Sequence, residues 1–384
     1  MARSNRNLTD IFQDTANAIR GKTGLSEPIN PRDFADEIEG IPTGSSEIVP
    51  GPNDNVIVYD YDGTVLDAKQ VAVGQEYTLP EGPTHNGLTF EEWTATSPIS
   101  NGKITIPATK QVRIGATYHT TNGHIEIDVH APKNIPITLA SGWTNVDWGD
   151  GTVTTGSSTH AYAAEGDYTI KVLSNVTSIS SGWINLREII KSLRLPNSII
   201  TLGDNFLGSA AILTKIVIPN SVTSIGEFSI NASKLSAIVI PSSVTSIGQR
   251  ALQGCFVLTK IVIPNSVTSI SNYILNNGYA LQSFVIPSNV TILGNGAFNN
   301  FRSISSIIIP STVTSIGIQT FQNFLSCGVF DFSNLQSVPT IQSDTFGNIN
   351  ANAKIIVPDA LYNDWISASN WANLASQIVK ASEA

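Results

Sequence analysis

Residues 213–226 read LTKIVIPNSVTSIG, and close variants of this stretch return throughout the second half of the chain. The proline within it recurs at spacings of 22 or 23 residues. The recurring prolines are Pro196, Pro219, Pro241, Pro264, Pro287 and Pro310. A fixed period of about 20–50 residues is typical of chains that coil into stacked turns, so this segment is predicted to be a solenoid.

Apolar residues fill whole columns when the repeats are aligned on these prolines. Isoleucine stands one residue before each later proline, and isoleucine or phenylalanine stands three residues before it. Valine follows three residues after each later proline, and isoleucine or leucine follows six residues after it. Neighbouring side chains of a strand point to opposite faces, so the two columns before the proline share one inward face. Each coil can bury that face only against the next coil.

The residue two positions before each later proline points the opposite way and forms an outer column. Its members are Val217, Val239, Val262, Val285 and Ile308. If these side chains are exposed, they make a continuous apolar ribbon of the kind that marks a partner-binding surface. The alternative is a second buried layer within a tightly wound coil. The ribbon is the candidate binding surface of the repeats.

The repeat resembles the BspA-like leucine-rich repeat of bacterial surface proteins, and the resemblance extends over residues 186–358. Residues 181–358 are therefore assigned to a leucine-rich-repeat solenoid. Residues 359–384 carry Trp365 and Trp371 and are predicted to form a helical C-terminal cap, because the outer face of a terminal repeat meets water or a partner.

Two smaller β modules are predicted before the repeats. Residues 54–119 alternate short apolar strands with turns such as Asp62-Gly63, and they resemble the internalin-type B-repeat, a small β-grasp-like module. Residues 120–180 contain VDWGDGT at 146–152, and they resemble a PKD-type β-sandwich, which implies a spacer or binding role. Asp147 and Asp150 leave a cation site open, although Asp-Gly turns are commoner than calcium sites.

Residues 1–45 show two short amphipathic helical patterns. The apolar positions proposed to anchor the segment to a particle are Ile11, Phe12, Ile19, Phe34 and Ile38. Helices this short are marginal in water, so they are expected to dock onto a partner or onto copies of themselves. The segment looks like the N-terminal part of phage tail-associated structural proteins, which implies virion attachment.

Composition excludes several classes of protein. The 384 residues include 21 Lys and Arg against 30 Asp and Glu, a net charge of −9, so neither nucleic acid nor an anionic membrane is an expected partner. No apolar run approaches the ~18 residues of a membrane span, and the start has no apolar region typical of a secretory signal. Cys255 and Cys327 are the only cysteines, too few for a disulfide framework.

Residues that could carry chemistry are sparse. His124 and His130 would share one face of a strand, but a zinc site is disfavoured without further ligands. Asp204 and Glu227 are the only acids between Pro196 and Phe330, and they occupy different columns, which disfavours the carboxylate pair of a glycan hydrolase. No nucleophile, phosphate-binding or zinc-protease motif occurs. The expected protein is not an enzyme and needs no cofactor or metal.

The predicted fold class is mainly β and multidomain: a small N-terminal helical hairpin, a β-grasp-like module, a β-sandwich, and a leucine-rich-repeat solenoid with a helical C-terminal cap. The predicted function is that of a phage virion structural protein, a tail or baseplate appendage or fibre for host-cell attachment. The alternatives are a capsid decoration or head-fibre protein and a bacterial surface adhesin.

The expected location is the virion, after synthesis in the host cytoplasm without a signal peptide. The expected partners are other virion proteins through the N-terminus and a host surface glycan or protein through the repeats. Homo-oligomers on the particle are also expected, and no insertion into a membrane.

Overall fold

The computed structural model describes residues 48–51, 53–140, 143, 145–155, 158–173 and 176–384. The chain divides into two compact units, Met1–Val49 and Pro50–Ala384, and the fold described below is that of the second unit. The predicted helical segment 1–45 lies outside the described residues, together with its proposed anchoring positions. No described helix is long and apolar enough to cross a membrane.

The first β region after the N-terminal segment has six strands. They are β1 (Val56–Tyr59), β2 (Val65–Lys69), β3 (Glu76–Thr78), β4 (Leu88–Ala95), β5 (Lys103–Thr105) and β6 (Val112–Thr120). Four of them form a sheet in the order β2-β1-β6-β4, in which β1 and β6 are parallel and the other pairs are antiparallel. Alternate residues of β1 and β6, such as Val58 and Ile114, fill the core of this region. We call residues 54–119 the docked module, and its likeness to a B-repeat stays a prediction.

The second β region also consists of short strands. They are β7 (Ile125–Ala131), β8 (Ile137–Thr138), β9 (Asn145–Asp147), β10 (Val153–Thr155), β11 (Thr159–His160), β12 (Gly166–Leu173) and β13 (Ser178–Ile179). Trp148 and Tyr162 are fully buried, and the Tyr162 hydroxyl donates to the Trp148 carbonyl at 2.7 Å. These residues belong to the stretch that resembles a PKD domain, which stays a prediction.

The repeats wind into a β-solenoid of about nine turns, as predicted. One ladder contains the strands before the prolines and continues through two strands that no proline follows. Its strands are β14 (Ile190–Arg194), β16 (Lys215–Val217), β18 (Ala237–Val239), β20 (Lys260–Val262), β23 (Ser306–Ile308), β25 (Val329–Asp331), β26 (Lys354–Val357) and β27 (Ile378–Lys380), of which β25 and β27 lack the proline. A second ladder follows the prolines: β15 (Thr201–Leu202), β17 (Ser224–Ile225), β19 (Ser246–Ile247), β21 (Ser269–Ile270), β22 (Ile292–Leu293) and β24 (Ser315–Ile316). The pairs within both ladders are parallel, because each coil repeats the direction of the one before.

The second β region and the solenoid share one sheet and one core. Strand β7 pairs antiparallel with β14, which gives the order β10-β9-β12-β7-β14-β16. Buried residues from Ile125 to Ile378 form one contiguous hydrophobic cluster. The predicted boundary at residue 180 therefore separates two segments that are structurally continuous, and β7 covers the first coil of the solenoid.

The last residues differ from the predicted helical cap. Residues 359–384 contain one six-residue helix, α1 (Tyr362–Ser367), several 3-10 turns and the strand β27, which pairs with β26. Trp365 and Trp371 are fully buried, with ring centroids 4.4 Å apart. Because Ile378 and its neighbours continue the strand ladder, this segment is a final coil that combines short helical turns with one strand, and a purely helical cap is not confirmed.

Candidate functional site

The outer column of the solenoid is largely covered in this structure. Val217 is 2% exposed, Val239 7% and Val262 1%. Val285 is also buried, and Ile308 is half-buried. The candidate binding ribbon is therefore not an open apolar surface along these coils.

The docked module covers the first three positions of the ribbon. Val217 packs into the core cluster of that module. Val239 and Val262 form a second cluster with Ile57 and Tyr59 of β1. Strand β6 contacts β16, β18 and β20, which belong to three successive coils. At Val217, Val239 and Val262 the outer column is thus neither a solvent-facing ribbon nor an inner layer of the coil, since a different part of the same chain lies on it.

Two glycines allow this close approach. A Cβ atom on Gly115 of β6 would lie 2.5 Å from Cγ1 of Val239, well inside van der Waals contact. Gly63 has φ +89° in its turn, and a Cβ atom there would lie 2.5 Å from Cβ of Ala237. The amine of Lys260 donates to the Gly63 carbonyl at 2.6 Å. The backbone of the module therefore rests directly on solenoid side chains.

Hydrogen bonds between the β4 region and successive coils hold the module on the solenoid. The Thr94 hydroxyl donates to the Ile240 carbonyl at 3.0 Å. The backbone amide of Asn265 donates to the Ala95 carbonyl at 2.8 Å. The Ser288 amide donates to the Thr96 carbonyl at 3.1 Å.

Two acidic side chains extend this series. The backbone amide of Asn220 donates to the Glu91 carboxylate, and the Ser242 hydroxyl donates to the Glu92 carboxylate. Contacts to at least four successive coils set the register of the docking, because the coils repeat at the spacing of parallel strands.

An ion-pair network marks the start of the same face. Arg194 occupies the outer column one coil before Val217. Its Nε lies 2.9 Å from the Glu126 carboxylate, and its Nη1 lies 2.9 Å from the Asp128 carboxylate. Burial disfavours the charged form of Arg194, but the charges of Asp128 and Glu126 outweigh burial and raise the pKa of Arg194. This network joins β7 to β14 one coil before Val217, at the end of the outer column.

A buried carboxylate inside the docked module was missed by sequence reasoning. Asp60 is buried, and its two oxygens lie 2.8 Å from the Tyr118 hydroxyl and 2.7 Å from Nε2 of His85. Burial, and then the charge of Asp60, raises the pKa of Tyr118. The cluster fixes the turn before Gly63 and so positions that glycine on the solenoid. Its only sequence signal was the Asp-Gly turn nearby.

The acidic and histidine candidates are engaged in local structure. Asp147 accepts from the Gly149 amide, and Asp150 accepts from the Thr152 amide, each at 2.9 Å. Asp204 accepts from the Glu227 amide at 2.7 Å, which links two coils. Nδ1 of His130 lies 2.7 Å from the Asp167 carboxylate. Among the described residues, no group of three His, Cys, Asp or Glu side chains could hold a metal ion.

Both cysteines are buried in the solenoid core. Burial raises the pKa of the Cys327 thiol to about 11 and also raises the pKa of Cys255. A thiol with a raised pKa is a poor nucleophile at neutral pH. The geometry therefore favours a structural role for both residues.

One exposed aromatic stack on the solenoid was also missed. Phe256 is 51% exposed and stacks on Tyr279, with ring centroids 5.4 Å apart. The guanidinium of Arg302 lies 4.7 Å from the Tyr279 centroid. The three residues stand fifteen positions after successive prolines, so the alignment of the repeats could have found them.

The fold and this face define a solenoid repeat protein that carries a β module on its strand ladder. The family model "BspA type Leucine rich repeat region" matches residues 158–280 and 268–371, in six copies. These matches extend over more than half of the chain, and the protein belongs to this family. No curated protein sequence matches it.

Several solved structures are similar in part. A leucine-rich repeat protein from Bacteroides ovatus has 15% identity and a TM-score of 0.35, over 71% of this chain and 70% of that one. The T. pallidum leucine-rich repeat protein has 17% identity and a TM-score of 0.27, over 50% and 83%. The pneumococcal vaccine antigen PcpA has 11% identity and a TM-score of 0.24, over 81% and 98%. Likeness at this level supports no functional argument.

Proposed function

We propose that this protein is a non-enzymatic attachment protein of a phage virion, carried on the tail or baseplate as an appendage or fibre. Residues 1–45 would bind other virion proteins, and the repeat array would present a surface to a glycan or protein of the host cell. Copies of the chain would assemble together on the particle. No cofactor or metal takes part in this role.

The observation that carries the proposal is the continuity of the described body. One hydrophobic cluster runs from Ile125 to Ile378, and the docked module is held to the solenoid through several successive coils. A body built in this way keeps its surface in one geometry, which favours display and binding. The Asp204 carboxylate considered for catalysis accepts a hydrogen bond that links two coils.

Two alternatives keep the same architecture. A capsid decoration or head-fibre protein would use the N-terminal segment on a different part of the particle. A bacterial surface adhesin would carry the same repeats on a cell envelope. No feature of the described residues favours either alternative over the tail proposal.

Immunogold imaging distinguishes the three. Purified phage particles and cells of the producing strain are labelled with an antibody raised against residues 186–384. Gold on tails or baseplates is the expected result. Gold on capsids alone would replace the tail proposal with the head-fibre one, and gold on uninfected cells but on no particle would replace it with the adhesin.

A further inference from the structure

A cleft lies between the docked module and the solenoid. Its volume is about 630 Å³, which lies within the range of about 300–1,000 Å³ usual for ligand pockets. Leu79, Trp93 and Ile99 line it from the module side, and Ser242, Asn265 and Asn289 line it from three successive coils of the solenoid. Neither segment forms this cleft alone, because its walls meet only when the module is docked.

Three polar side chains present unused hydrogen-bonding atoms in this cleft. The Asn265 Oδ1 atom accepts from the Ser288 hydroxyl at 2.8 Å and from the backbone amide of Asn289 at 3.0 Å. These two bonds fix the orientation of the Asn265 side-chain carboxamide. Within the described chain, no hydrogen bond engages Nδ2 of Asn265, Oδ1 of Asn289 or Oε2 of Glu92. These three side chains therefore offer the cleft one unused donor group and two unused acceptor atoms.

Charge and shape restrict the class of ligand. The lining includes the Glu92 carboxylate and no Lys, Arg or His, so an anionic ligand would be repelled and left without a partner. A peptide could not extend the sheet here, because the Ala95 and Thr96 carbonyls already accept from the solenoid. A ligand that suits the cleft carries no negative charge, is rich in hydroxyl groups, and has apolar C–H faces for Trp93 and Ile99.

We propose that this cleft binds a short neutral saccharide. Sugar hydroxyls donate to Glu92 and Asn289 and accept from Asn265, while the C–H face of one ring packs on Trp93 and Ile99. The inference rests on the proposed attachment function, to which it adds a ligand class. Its test uses purified protein, so its outcome does not depend on where the protein is found on a particle.

Trp93 reports binding directly. Its indole Nε1 donates to the Pro80 carbonyl at 3.0 Å beside the cleft, and the chain has six tryptophans in all. The full chain is labelled with ¹⁵N at tryptophan, and the Trp93 indole resonance is assigned with Trp93→Phe. The probes are N,N′-diacetylchitobiose, lactose and maltose, with glucose 6-phosphate as the anionic comparison.

We expect at least one neutral disaccharide to shift the Trp93 resonance saturably, with a dissociation constant on the order of 1 mM. The buried Trp148 and Trp371 resonances should stay unchanged. Asn289→Ala and Ile99→Ala should each weaken binding by about tenfold, and Asn289→Trp should fill the cleft and abolish it. Ile200→Ala and Asn352→Trp alter exposed residues outside the cleft and should leave binding intact.

Thermal unfolding of each variant shows that the fold is retained. The proposal is overturned if no neutral disaccharide gives a saturable shift up to about 50 mM, fifty times the expected constant. It is also overturned if binding survives Asn289→Trp in the folded variant, or if glucose 6-phosphate binds and the neutral sugars do not.

Discussion

At the scale of single residues, the solenoid depends on a column of asparagines in an unusual backbone conformation. Asn277, Asn300, Asn323 and Asn348 have φ between 55° and 68°, in the left-handed region that asparagine tolerates better than most residues. The side chains of Asn300, Asn323 and Asn348 each donate to the asparagine in the coil before, over 2.8 Å, 2.9 Å and 2.7 Å. The same side chains therefore relieve backbone strain and link the coils.

Asn300 is the position at which both effects can be measured. Asn300→Ala removes two ladder hydrogen bonds and leaves a less tolerant residue at φ 68°, so we expect a loss of about 1–3 kcal/mol in the free energy of unfolding. Asn300→Gly removes the same bonds without backbone strain and should lose less. Urea unfolding measures both variants, and an unchanged midpoint for Asn300→Ala would show that the ladder contributes nothing.

At the scale of strands, the docking of β6 depends on the absence of a side chain at Gly115. Gly115→Ala places a methyl group against Val239, and overpacking of this kind costs about 1–3 kcal/mol. Adding Val239→Ala to the same chain should recover part of that loss, because the valine methyl groups that clash are removed. Thermal unfolding of the two single variants and the double variant measures the coupling, and strictly additive effects would contradict direct contact.

His130, near the end of strand β7, predicts that the stability of the protein depends on pH. The hydrogen bond that the His130 ring makes to the Asp167 carboxylate raises the pKa of His130; burial partly opposes this rise, and Glu165 adds to it. A group whose folded pKa is raised contributes stability below its unfolded pKa of about 6.5 and loses that contribution as the pH rises through the folded pKa. The difference in melting temperature between wild type and His130→Gln should therefore be larger at pH 5.5 than at pH 8.5.

The neighbouring carboxylate provides the control for this titration. Asp167 also pairs with Lys191, so it stays ionised at both pH values and the lysine contact remains in His130→Gln. A melting-temperature difference that is equal at the two pH values would mean that His130 does not titrate against Asp167 in the folded protein.

At the scale of the whole molecule, the docked module and the solenoid protect each other from water. Val217, Val239 and Val262 are buried only because the module lies on them. A chain of residues 120–384 keeps the continuous cluster that starts at β7 and should fold, but it exposes the valine column as one apolar patch. We expect it to bind a hydrophobic dye and to self-associate, as measured by fluorescence and sedimentation.

A matched variant isolates the cause of that behaviour. Val239→Thr and Val262→Thr in residues 120–384 keep the β-branched shape and replace apolar surface with hydroxyl groups. Dye binding and self-association should fall in this variant. If residues 120–384 stay monomeric and bind no dye, the valine column is covered by something other than the docked module.

Repetition explains how much of the fold could be read from the chain. The inward columns, with members such as Ile218 and Val222, are buried against the same residue types in the neighbouring coils. The pattern of one repeat therefore predicts the buried face of every coil. The outer valines carry the same strand signal but no information on what covers them. The helical cap is not confirmed, for a related reason: Trp365 and Trp371 show that the last coil is buried, but their spacing does not distinguish a helix from a returning strand.

The amino-acid sequence by itself determined the solenoid, its period and the inward direction of its apolar columns, because contacts between successive coils lie at a constant separation along the chain. Only the tertiary structure decided that residues 54–119 lie on the outer column, and that a cleft with Trp93 and Asn265 opens beside it. Those contacts join residues more than a hundred positions apart through surface shape, at glycines such as Gly115, and a linear pattern does not record which two surfaces fit.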